Sequence, residues 1–376
     1  MVRRNRTWML IAIVLIFAVL SAYGQGMDPK AALAGMSGKV YSKGPHNEDP
    51  SPASVVTLSP AELQKIKDMH ATAAIVLHYG GNDWSTAQTD GVKYEFGLLG
   101  INVIAVTDAQ FKPEKQVSDI ETVLARKPNI IVSIPTDPVA TADAYKRAAA
   151  QGVTIVFMDN VPNGMTQGKD YVSVVSADNY GNGIAAAHLL ALALNGKGKI
   201  GLIYHGADFF VTHERYEGFK TTIQKDYPGI TILAEQGIVG PDFAGDAEKA
   251  ASAFLTKYQD MQAIWAVWDV PAEGVLAAAR SAQRNDLIVS TEDLGLNAAI
   301  NMAQGGIIKG LGAQRPFDQG VTEAKLAAYG LLHKKAPAYV ALSALAVMRE
   351  NVLQAWKDVY HQDPPKDLVD AYNSKQ

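Results

Sequence analysis

Short apolar segments alternate with amphipathic segments along most of the chain after residue 59. The apolar segments are five to seven residues long, which is typical of strands, and those between them, such as DAEKAASAFLTKY, have the spacing of helices. Nine segments are predicted to be strands: 73–79, 102–106, 129–134, 153–158, 199–204, 230–235, 263–267, 287–291 and 307–312. This alternation predicts an α/β protein.

The predicted strands are mostly apolar throughout, as strands are when helices cover both faces of a parallel sheet. Nine such units are too many for one compact sheet, whereas two sheets of about five or six strands fit a chain of 376 residues. The segments DIETVLARKPNIIVSIPTD and DAEKAASAFLTKYQDMQAIWAVWD share the order helix, turn, strand and acid. We therefore predict two similar, doubly wound, Rossmann-like lobes.

The first 24 residues have the features of an export signal. They contain three arginines within the first six residues, an apolar core over residues 8–20, and small residues at Ala22 and Gly24 before Gln25. The core is short for a transmembrane helix, although an uncleaved anchor is the alternative. No cysteine follows it, so a lipoprotein is not expected. We predict a cleaved signal peptide over residues 1–24 and a free periplasmic protein.

Residues 25–58 are rich in Gly, Pro, Ser and Lys and show little periodicity, which predicts a flexible extension. The pattern changes at Ser59, where SPAELQKIKDM has a capping residue followed by proline, as at the start of a helix.

Composition and charge exclude several functions. A net charge of −4 and a pI near 6.1 argue against a nucleic-acid partner, which needs a basic surface. The chain has no cysteine, and its eight histidines are scattered, so neither a thiolate nucleophile nor a metal site is predicted. The segment GNGIAA at 181–186 imitates a dinucleotide fingerprint but does not follow the first strand, so no cofactor is predicted either.

Acidic residues follow three of the predicted strands. Asp159 ends the strand in IVFMDNVP, Asp269 follows AIWAVW, and Glu292 with Asp293 follows LIVST. In open α/β sheets, ligands bind beyond the carboxyl ends of the strands. Two facing lobes would gather these acids around one cleft.

Read in order, the strand ends SIPTDP, FMDN, SADN, HERYEGF, VWDVPAEG and GAQRPFDQG resemble those of ribose-type periplasmic sugar-binding proteins, the substrate-binding subunits of ABC importers, over about residues 70–335. These proteins are related to the effector domains of LacI-type repressors. The resemblance implies two lobes joined by a three-stranded hinge, with a sugar in the cleft.

The resemblance also implies roles for individual residues. Asp159 and Asp293 match acids that bind sugar hydroxyls, Arg215 matches an arginine that reaches hydroxyls or the ring oxygen, and Gln314 matches a glutamine at a hinge crossing. The strand-end acids and the aromatic positions complete the predicted ligand-binding set: Asn82, Trp84, Asp159, Asn160, Arg215, Phe243, Trp268, Asp269, Asp293 and Gln314.

Three positions depart from the family pattern. Trp268 occupies a position that is often asparagine, Glu292 one that is often aromatic, and Ile134 one that is often polar. These departures indicate a hydroxyl pattern other than that of ribose.

Simpler roles exist for several of these residues. Asp159 could cap a turn, and Arg215 could form a surface ion pair on its helix. Trp84 and Trp268 could be core residues, and Asn179 is predicted to be a helix N-cap rather than a ligand contact.

The resemblance predicts a non-catalytic, monomeric receptor that captures a pentose, hexose or related polyol by hinge closure and delivers it to an ABC permease. The alternatives are a signalling or chemotaxis receptor, which would engage a chemoreceptor, and an exported α/β enzyme.

The motifs also predict the lobe boundaries. The N-terminal lobe is expected to contain residues 59–177 and 315–340, and the C-terminal lobe residues 178–314 and 341–376. The chain would cross between them near residues 177–179, 314–317 and 338–345.

Overall fold

The computed structural model describes residues 26–375, which form two α/β lobes, each built on a sheet of six strands. The predicted fold class is therefore confirmed. The predicted signal peptide, residues 1–24, lies outside the described residues. In the described part of the chain, no helix has the length and apolar character needed to cross a membrane.

The sheet of the N-terminal lobe is parallel throughout, with the order β2-β1-β3-β4-β5-β11. Its central strands, including β3 and β4, are buried almost completely because helices cover both faces, as the unbroken apolar segments predict. The strands are β1 Thr72–Leu77, β2 Asn102–Asp108, β3 Ile130–Ser133, β4 Thr154–Met158, β5 Val174–Ala177 and β11 Tyr339–Leu342.

Five helices belong to this lobe. The first begins at a capping box in which Ser59 Oγ accepts from the Glu62 N–H and the Glu62 carboxylate accepts from the Ser59 N–H. Two others, Asp83–Leu99 and Pro316–Leu331, pack closely because Gly91 has no side chain: a Cβ there would lie 2.1 Å from the Phe317 carbonyl oxygen. The helices are α2 Pro60–Asp68, α3 Asp83–Leu99, α4 Pro113–Ala125, α5 Ala142–Ala150 and α11 Pro316–Leu331.

The C-terminal lobe repeats this arrangement with the order β7-β6-β8-β9-β10-β12, in which only β12 is antiparallel to its neighbour. Its strands are β6 Gly198–His205, β7 Ile230–Ile238, β8 Ala263–Ala266, β9 Ile288–Glu292, β10 Ile308–Ala313 and β12 Leu345–Val347. Its helices are α6 Asn179–Ala193, α7 Phe210–Asp226, α8 Phe243–Lys257, α9 Asp269–Ser281, α10 Leu296–Ala303, α12 Val352–Tyr360 and α13 Lys366–Asn373, with a 3₁₀ turn at Arg349–Asn351.

The chain passes between the two sheets three times. It leaves the N-terminal sheet after Ala177, returns after Ala313, and leaves again after Leu342. The last crossing lies two residues later than the boundary expected after residue 340, because β11 continues to Leu342.

All nine apolar segments form strands, and three further strands, β5, β11 and β12, were not predicted. They are three or four residues long: Ser173 and Ser176 interrupt the apolar residues around β5, β12 is only partly buried, and the apolar run AYVAL (338–342) that contains β11 was missed. Each of them borders a crossing between the lobes.

The N-terminal extension (residues 26–58) differs from the flexible segment that its composition predicts. It contains α1 Pro29–Met36 and a 3₁₀ turn at Ala53–Val55. The prediction of flexibility from the polar composition is wrong because hydrogen bonds to distant residues hold the segment in place. The Ser42 N–H donates to Asp178 Oδ1 (2.8 Å), and Ser51 pairs with β11.

Candidate functional site

A cavity of about 70 Å³ lies between the lobes, at the carboxyl ends of the strands of both sheets. A cavity of this size has room for more than one water-sized molecule and therefore for a small organic molecule. Its walls are formed by His78, Tyr79, Asn82, Trp84, Phe111, Ile134, Asp159, His205, Phe209, Val211, Thr212, Arg215, Phe243, Trp268, Val270, Asp293 and Gln314.

Asp159 and Asp293 occupy equivalent places in the two lobes, each directly after the fourth strand of its own sheet in chain order. Both have left-handed backbone conformations, with φ of 55° and 63°. Such angles are uncommon outside glycine, but aspartate tolerates them, and they cluster at functional sites. The left-handed turn presents both carboxylates to the cleft.

The Asp159 carboxylate is buried, and its Oδ1 accepts a hydrogen bond from Ser176 Oγ. Burial raises the pKa of Asp159 to about 6, while Ser176 and the charge of Arg215 oppose the shift. Within residues 26–375, no side chain is recorded as donating to its other oxygen, which is available to a ligand.

Arg215 forms a bidentate ion pair with Asp293, with Nη1–Oδ2 2.9 Å and Nη2–Oδ1 3.1 Å. The Gln314 side-chain amide also donates to Asp293, at 3.0 Å. Arg215 is buried, and its Nη1 donates to the Val267 carbonyl (3.1 Å) as well. The surface ion pair considered for Arg215 is therefore not formed; the guanidinium is a fixed part of the cavity wall.

Two side chains behind the cavity support Arg215. Asn179 Oδ1 accepts from Arg215 Nε (3.4 Å), so the predicted N-cap role of Asn179 is wrong: the cap is Asp178, which accepts from the Gly181 N–H. Glu292 points away from the cleft and accepts from Trp265 Nε1 (3.0 Å). Burial raises the pKa of Glu292 well above its ordinary value, against the opposing charge of Arg215.

Aromatic rings form much of the remaining wall and meet across the cleft. His78 of the N-terminal lobe stacks on Phe209 of the C-terminal lobe, with ring centroids 5.6 Å apart. Phe111 of the N-terminal lobe meets Phe243 of the C-terminal lobe edge to face, with ring centroids 5.6 Å apart. The rings of Phe243 and Trp268 are 4.9 Å apart. These contacts bring the lobes together around the cavity.

Two histidines were missed by sequence reasoning. His78 follows the first strand of its lobe, in VLHYG, and His205 ends the first strand of the other, in LIYHG. The available signal was this repetition of a histidine at the end of the first strand of each lobe, which metal-ligand spacing does not reveal. Burial lowers the pKa of His78 to about 3 and that of His205 to about 4, so both rings are neutral near pH 7.

The structure brings eight of the ten predicted site residues to the cavity wall, and Asn160 and Asp269 lie outside it. Asn160 comes after the left-handed turn, and its amide donates to the Pro135 carbonyl (3.3 Å) instead. Asp269 begins α9 and accepts from the Val270 N–H (2.9 Å). Burial, with the nearby charge of Asp293, raises the pKa of Asp269 to about 8.

A polar contact at the rim also joins the lobes. Asp83, in the first turn of α3, accepts from the Leu296 N–H at the start of α10 (2.8 Å). A carboxylate is favourable at a helix N-terminus because unpaired N–H groups point there. The described structure is therefore a closed arrangement of the lobes.

The cavity combines chemistry suited to a small hydroxylated molecule. Carboxylates accept hydroxyl protons, the guanidinium and amides donate to hydroxyl oxygens, and rings cover C–H faces. In the described residues, no group of three or more His, Asp or Glu side chains is arranged to hold a metal ion.

The chain is similar to known proteins over most of its length. The family described as periplasmic binding protein domain matches residues 73–335. The ribose import binding protein of Salmonella typhimurium is 28% identical over 221 residues, which are 58% of this chain and 71% of that protein.

Two solved structures have the same fold. An arabinose-binding protein from Geobacillus stearothermophilus is 25% identical, with a TM-score of 0.66 over 75% of this chain and 98% of that one. An ABC transporter solute-binding protein from Agrobacterium vitis, bound to α-D-tagatopyranose, has a TM-score of 0.70 at 23% identity and covers 78% of this chain and all of its own (100%). The predicted resemblance to ribose-type binding proteins is confirmed. The chain belongs to the periplasmic binding protein family.

Proposed function

We propose that this protein is the solute-binding protein of an ABC importer and that it captures a monosaccharide or related polyol by closing its two lobes. The observation that carries the proposal is the cavity between the lobes, where Asp159, the Arg215–Asp293 pair and Gln314 lie beside aromatic rings. Fixed acceptors and donors of this kind hold hydroxyl groups, and rings pack on sugar faces.

The relatives support the same function. The Salmonella protein is named a ribose import binding protein, and the solved Agrobacterium structure holds a sugar in its pyranose form. Import, rather than signalling or catalysis, is what these names have in common. Recognition by a chemoreceptor and a monomeric state stay predictions.

Closure explains how binding would be communicated to the permease. A ligand that touches both lobes binds the closed arrangement better than the open one and shifts the population toward it. The permease would then recognise the closed surface. Periplasmic localisation agrees with the family, and its signal would be the predicted segment at residues 1–24.

A thermal-shift screen tests the proposal. Aldoses or polyols are expected to raise the melting temperature, whereas nucleotides and metal salts are not. A ligand that binds only the native state stabilises it by about 2.7 kcal/mol at a hundredfold excess over Kd. A screen in which only nucleotide cofactors respond would reject the proposal. Loss of uptake of the responding sugar after deletion of the gene would establish the transport role.

A further inference from the structure

The walls of the cavity differ in polarity. Five of the seventeen lining residues carry a carboxylate, guanidinium or carboxamide, and four of these form one patch (Asp159, Arg215, Asp293 and Gln314). The fifth, Asn82, uses its Oδ1 to cap α3 at the Ser85 N–H (2.8 Å). The charged and carboxamide groups are therefore concentrated on one part of the wall.

The patch has only part of its hydrogen-bonding capacity left for a ligand. Both Asp293 oxygens accept from Arg215, and one Asp159 oxygen accepts from Ser176. Arg215 uses four of its five N–H groups on Asn179, Val267 and Asp293. An aldohexose has five hydroxyls, each both a donor and an acceptor. The patch cannot satisfy all of them.

The rest of the wall consists mainly of rings and aliphatic groups, although His78 Nδ1 and Trp84 Nε1 have no hydrogen-bond partner within the described residues and could each bind one hydroxyl. The rings form a connected set across both lobes: His78 contacts Phe111 at 4.8 Å, and His205 contacts Trp268 at 5.7 Å. Ile134, Val211 and Val270 add aliphatic surface. The Thr212 hydroxyl is committed to the Phe209 carbonyl (3.2 Å) and to His205 Nδ1 (3.0 Å). Two rings suffice to cover both faces of a sugar, so this wall is larger than a plain pyranose requires.

We propose that the ligand is a monosaccharide with hydroxyls along one edge and an apolar group along the other: a deoxy carbon, a methyl group or a methoxy group. This inference rests on the proposed function. The hydroxylated edge binds the carboxylate–arginine patch, and the apolar group packs among the rings and aliphatic side chains. A hydroxyl placed against the aliphatic side chains of Ile134, Val211 and Val270, which offer no hydrogen-bond partner, would lose its hydrogen bond, at a cost of about five- to a hundredfold in affinity.

Calorimetric titration with matched sugars tests this inference. Galactose, glucose and mannose are each compared with their 6-deoxy and methyl-glycoside counterparts on the exported chain. At least one deoxy or methyl sugar is expected to bind fivefold or more tighter than its parent. If the free aldose is the tighter ligand in every responding pair, the inference is overturned while the proposed function stands. If no carbohydrate binds, the proposed function fails as well.

Val270→Thr tests the position of the apolar wall. It keeps the shape of the side chain and adds a hydroxyl at a half-buried position in the cavity wall. The preference for the deoxy or methyl sugar is expected to fall by at least threefold. Val117→Thr is the matched control, because Val117 is half-buried on α4 and does not line the cavity. Equal preferences in the two variants would contradict the assignment.

A different observation concerns the N-terminal extension, which contacts both lobes. Its helix α1 packs on α6 of the C-terminal lobe, and the Met27 N–H donates to the Asp226 carbonyl (3.0 Å). Further along, Ser51 exchanges hydrogen bonds with Tyr339 and Ala341 of β11 in the N-terminal lobe (3.0 and 3.2 Å).

Between these anchors the extension passes the hinge. The Ser42 N–H donates to Asp178 Oδ1 (2.8 Å), and Ser42 Oγ accepts from the Tyr180 N–H (2.9 Å). Asp178 is the residue at which the chain first leaves the N-terminal sheet. The extension is thus a fourth connection between the lobes, made by packing and hydrogen bonds instead of by the hinge strands.

We infer that this connection restricts opening of the empty protein. The contacts of α1 with the C-terminal lobe and those of Ser51 with β11 are both formed in the closed arrangement. Rotation of one lobe away from the other would strain or break one of these two sets of contacts. Because the chain has no cysteine, Ser118→Cys on α4 and Ser252→Cys on α8, both exposed, give one dye position on each lobe.

Single-molecule energy transfer in sugar-free buffer then measures opening. Met36→Asp places a charge at a buried position of α1 and is expected to shift the inter-dye distances to longer values. Ser42→Ala, a milder change at the hinge, is expected to shift them in the same direction. Leu98→Asp, on the exposed face of α3, is the control. Unchanged distances in Ser42→Ala and in a folded Met36→Asp would overturn the inference.

Discussion

Replacement of Asp159 by alanine is expected to weaken sugar binding about thirty- to several-thousandfold. The carboxylate ends β4 in a buried position and has one oxygen held by Ser176, which leaves the other for ligand hydroxyls. Removal of a charged acceptor that faces buried donors costs about 2–5 kcal/mol. Calorimetry with the sugar that responds in the thermal screen measures the loss. Binding within threefold of the wild type would mean that Asp159 is only a turn residue.

Asp159→Asn is the better-matched variant, since asparagine also tolerates the φ of 55°. It should lose binding as well, but the empty protein should gain stability at neutral pH. The folded-state pKa of Asp159 is raised from 3.8 to about 6, so wild-type stability declines as the pH rises through that window. The gain from Asp159→Asn should reach at most about 3 kcal/mol above pH 6 and disappear below pH 4. Urea unfolding at pH 4 and pH 7 measures it; a gain that is equal at both pH values would contradict the burial of the charge.

Arg215→Met is expected to lower the free energy of unfolding by about 3–5 kcal/mol, because it leaves the largely buried Asp293 carboxylate (13% exposed) without its countercharge. Methionine keeps much of the side-chain volume, so the loss reports the charge more than the packing. Sugar binding should be lost too, since the guanidinium fixes Asp293. Denaturant unfolding checks the first effect and calorimetry the second.

Two comparisons separate this effect from a general loss of charge. Arg147→Met removes a half-exposed ion pair with Glu121 and should change stability by less than about 1 kcal/mol. Adding Asp293→Asn to Arg215→Met should restore part of the stability, because the unpaired carboxylate is then gone. If Arg215→Met costs no more than Arg147→Met, the Arg215–Asp293 pair does not stabilise the fold.

Much of the fold could be predicted because nine of the twelve strands are short, largely apolar segments of the sequence, as is typical of strands in parallel sheets covered by helices. The other three border the crossings, where the chain exchanges one lobe for the other. Ser176 in β5 donates to Asp159, and Leu345 in β12 is half-buried, so local hydrophobicity is weak in these two strands, whereas the apolar segment of β11 was overlooked. Pairing with distant strands, which no local pattern records, forms these elements.

The N-terminal extension shows the same limit. Its composition favours disorder, but Ser42 forms a hydrogen bond with Asp178, and Ser51 forms hydrogen bonds with β11. Both partners lie more than a hundred residues away in sequence. Short polar side chains are typical of loops, and nothing local distinguishes a free loop from one fixed by backbone hydrogen bonds.

For the site, the strand-end acids were predictable because the ends of parallel strands meet at one edge. Side-chain direction was not: Asp159 enters the cavity while its neighbour Asn160 turns to Pro135, a difference set by one left-handed residue. The histidines at the ends of β1 and β6 could be recognised as site residues only by comparing the sequences of the two lobes with each other.

Native mass spectrometry of the protein purified without refolding tests the central claim, that the cavity between the lobes holds a monosaccharide, most directly. The expected result is a 1:1 complex with the mass of a pentose, hexose, polyol or one of their deoxy or methyl derivatives, absent in Asp159→Asn. A retained nucleotide cofactor, or a sugar complex of equal abundance in Asp159→Asn, would contradict this account.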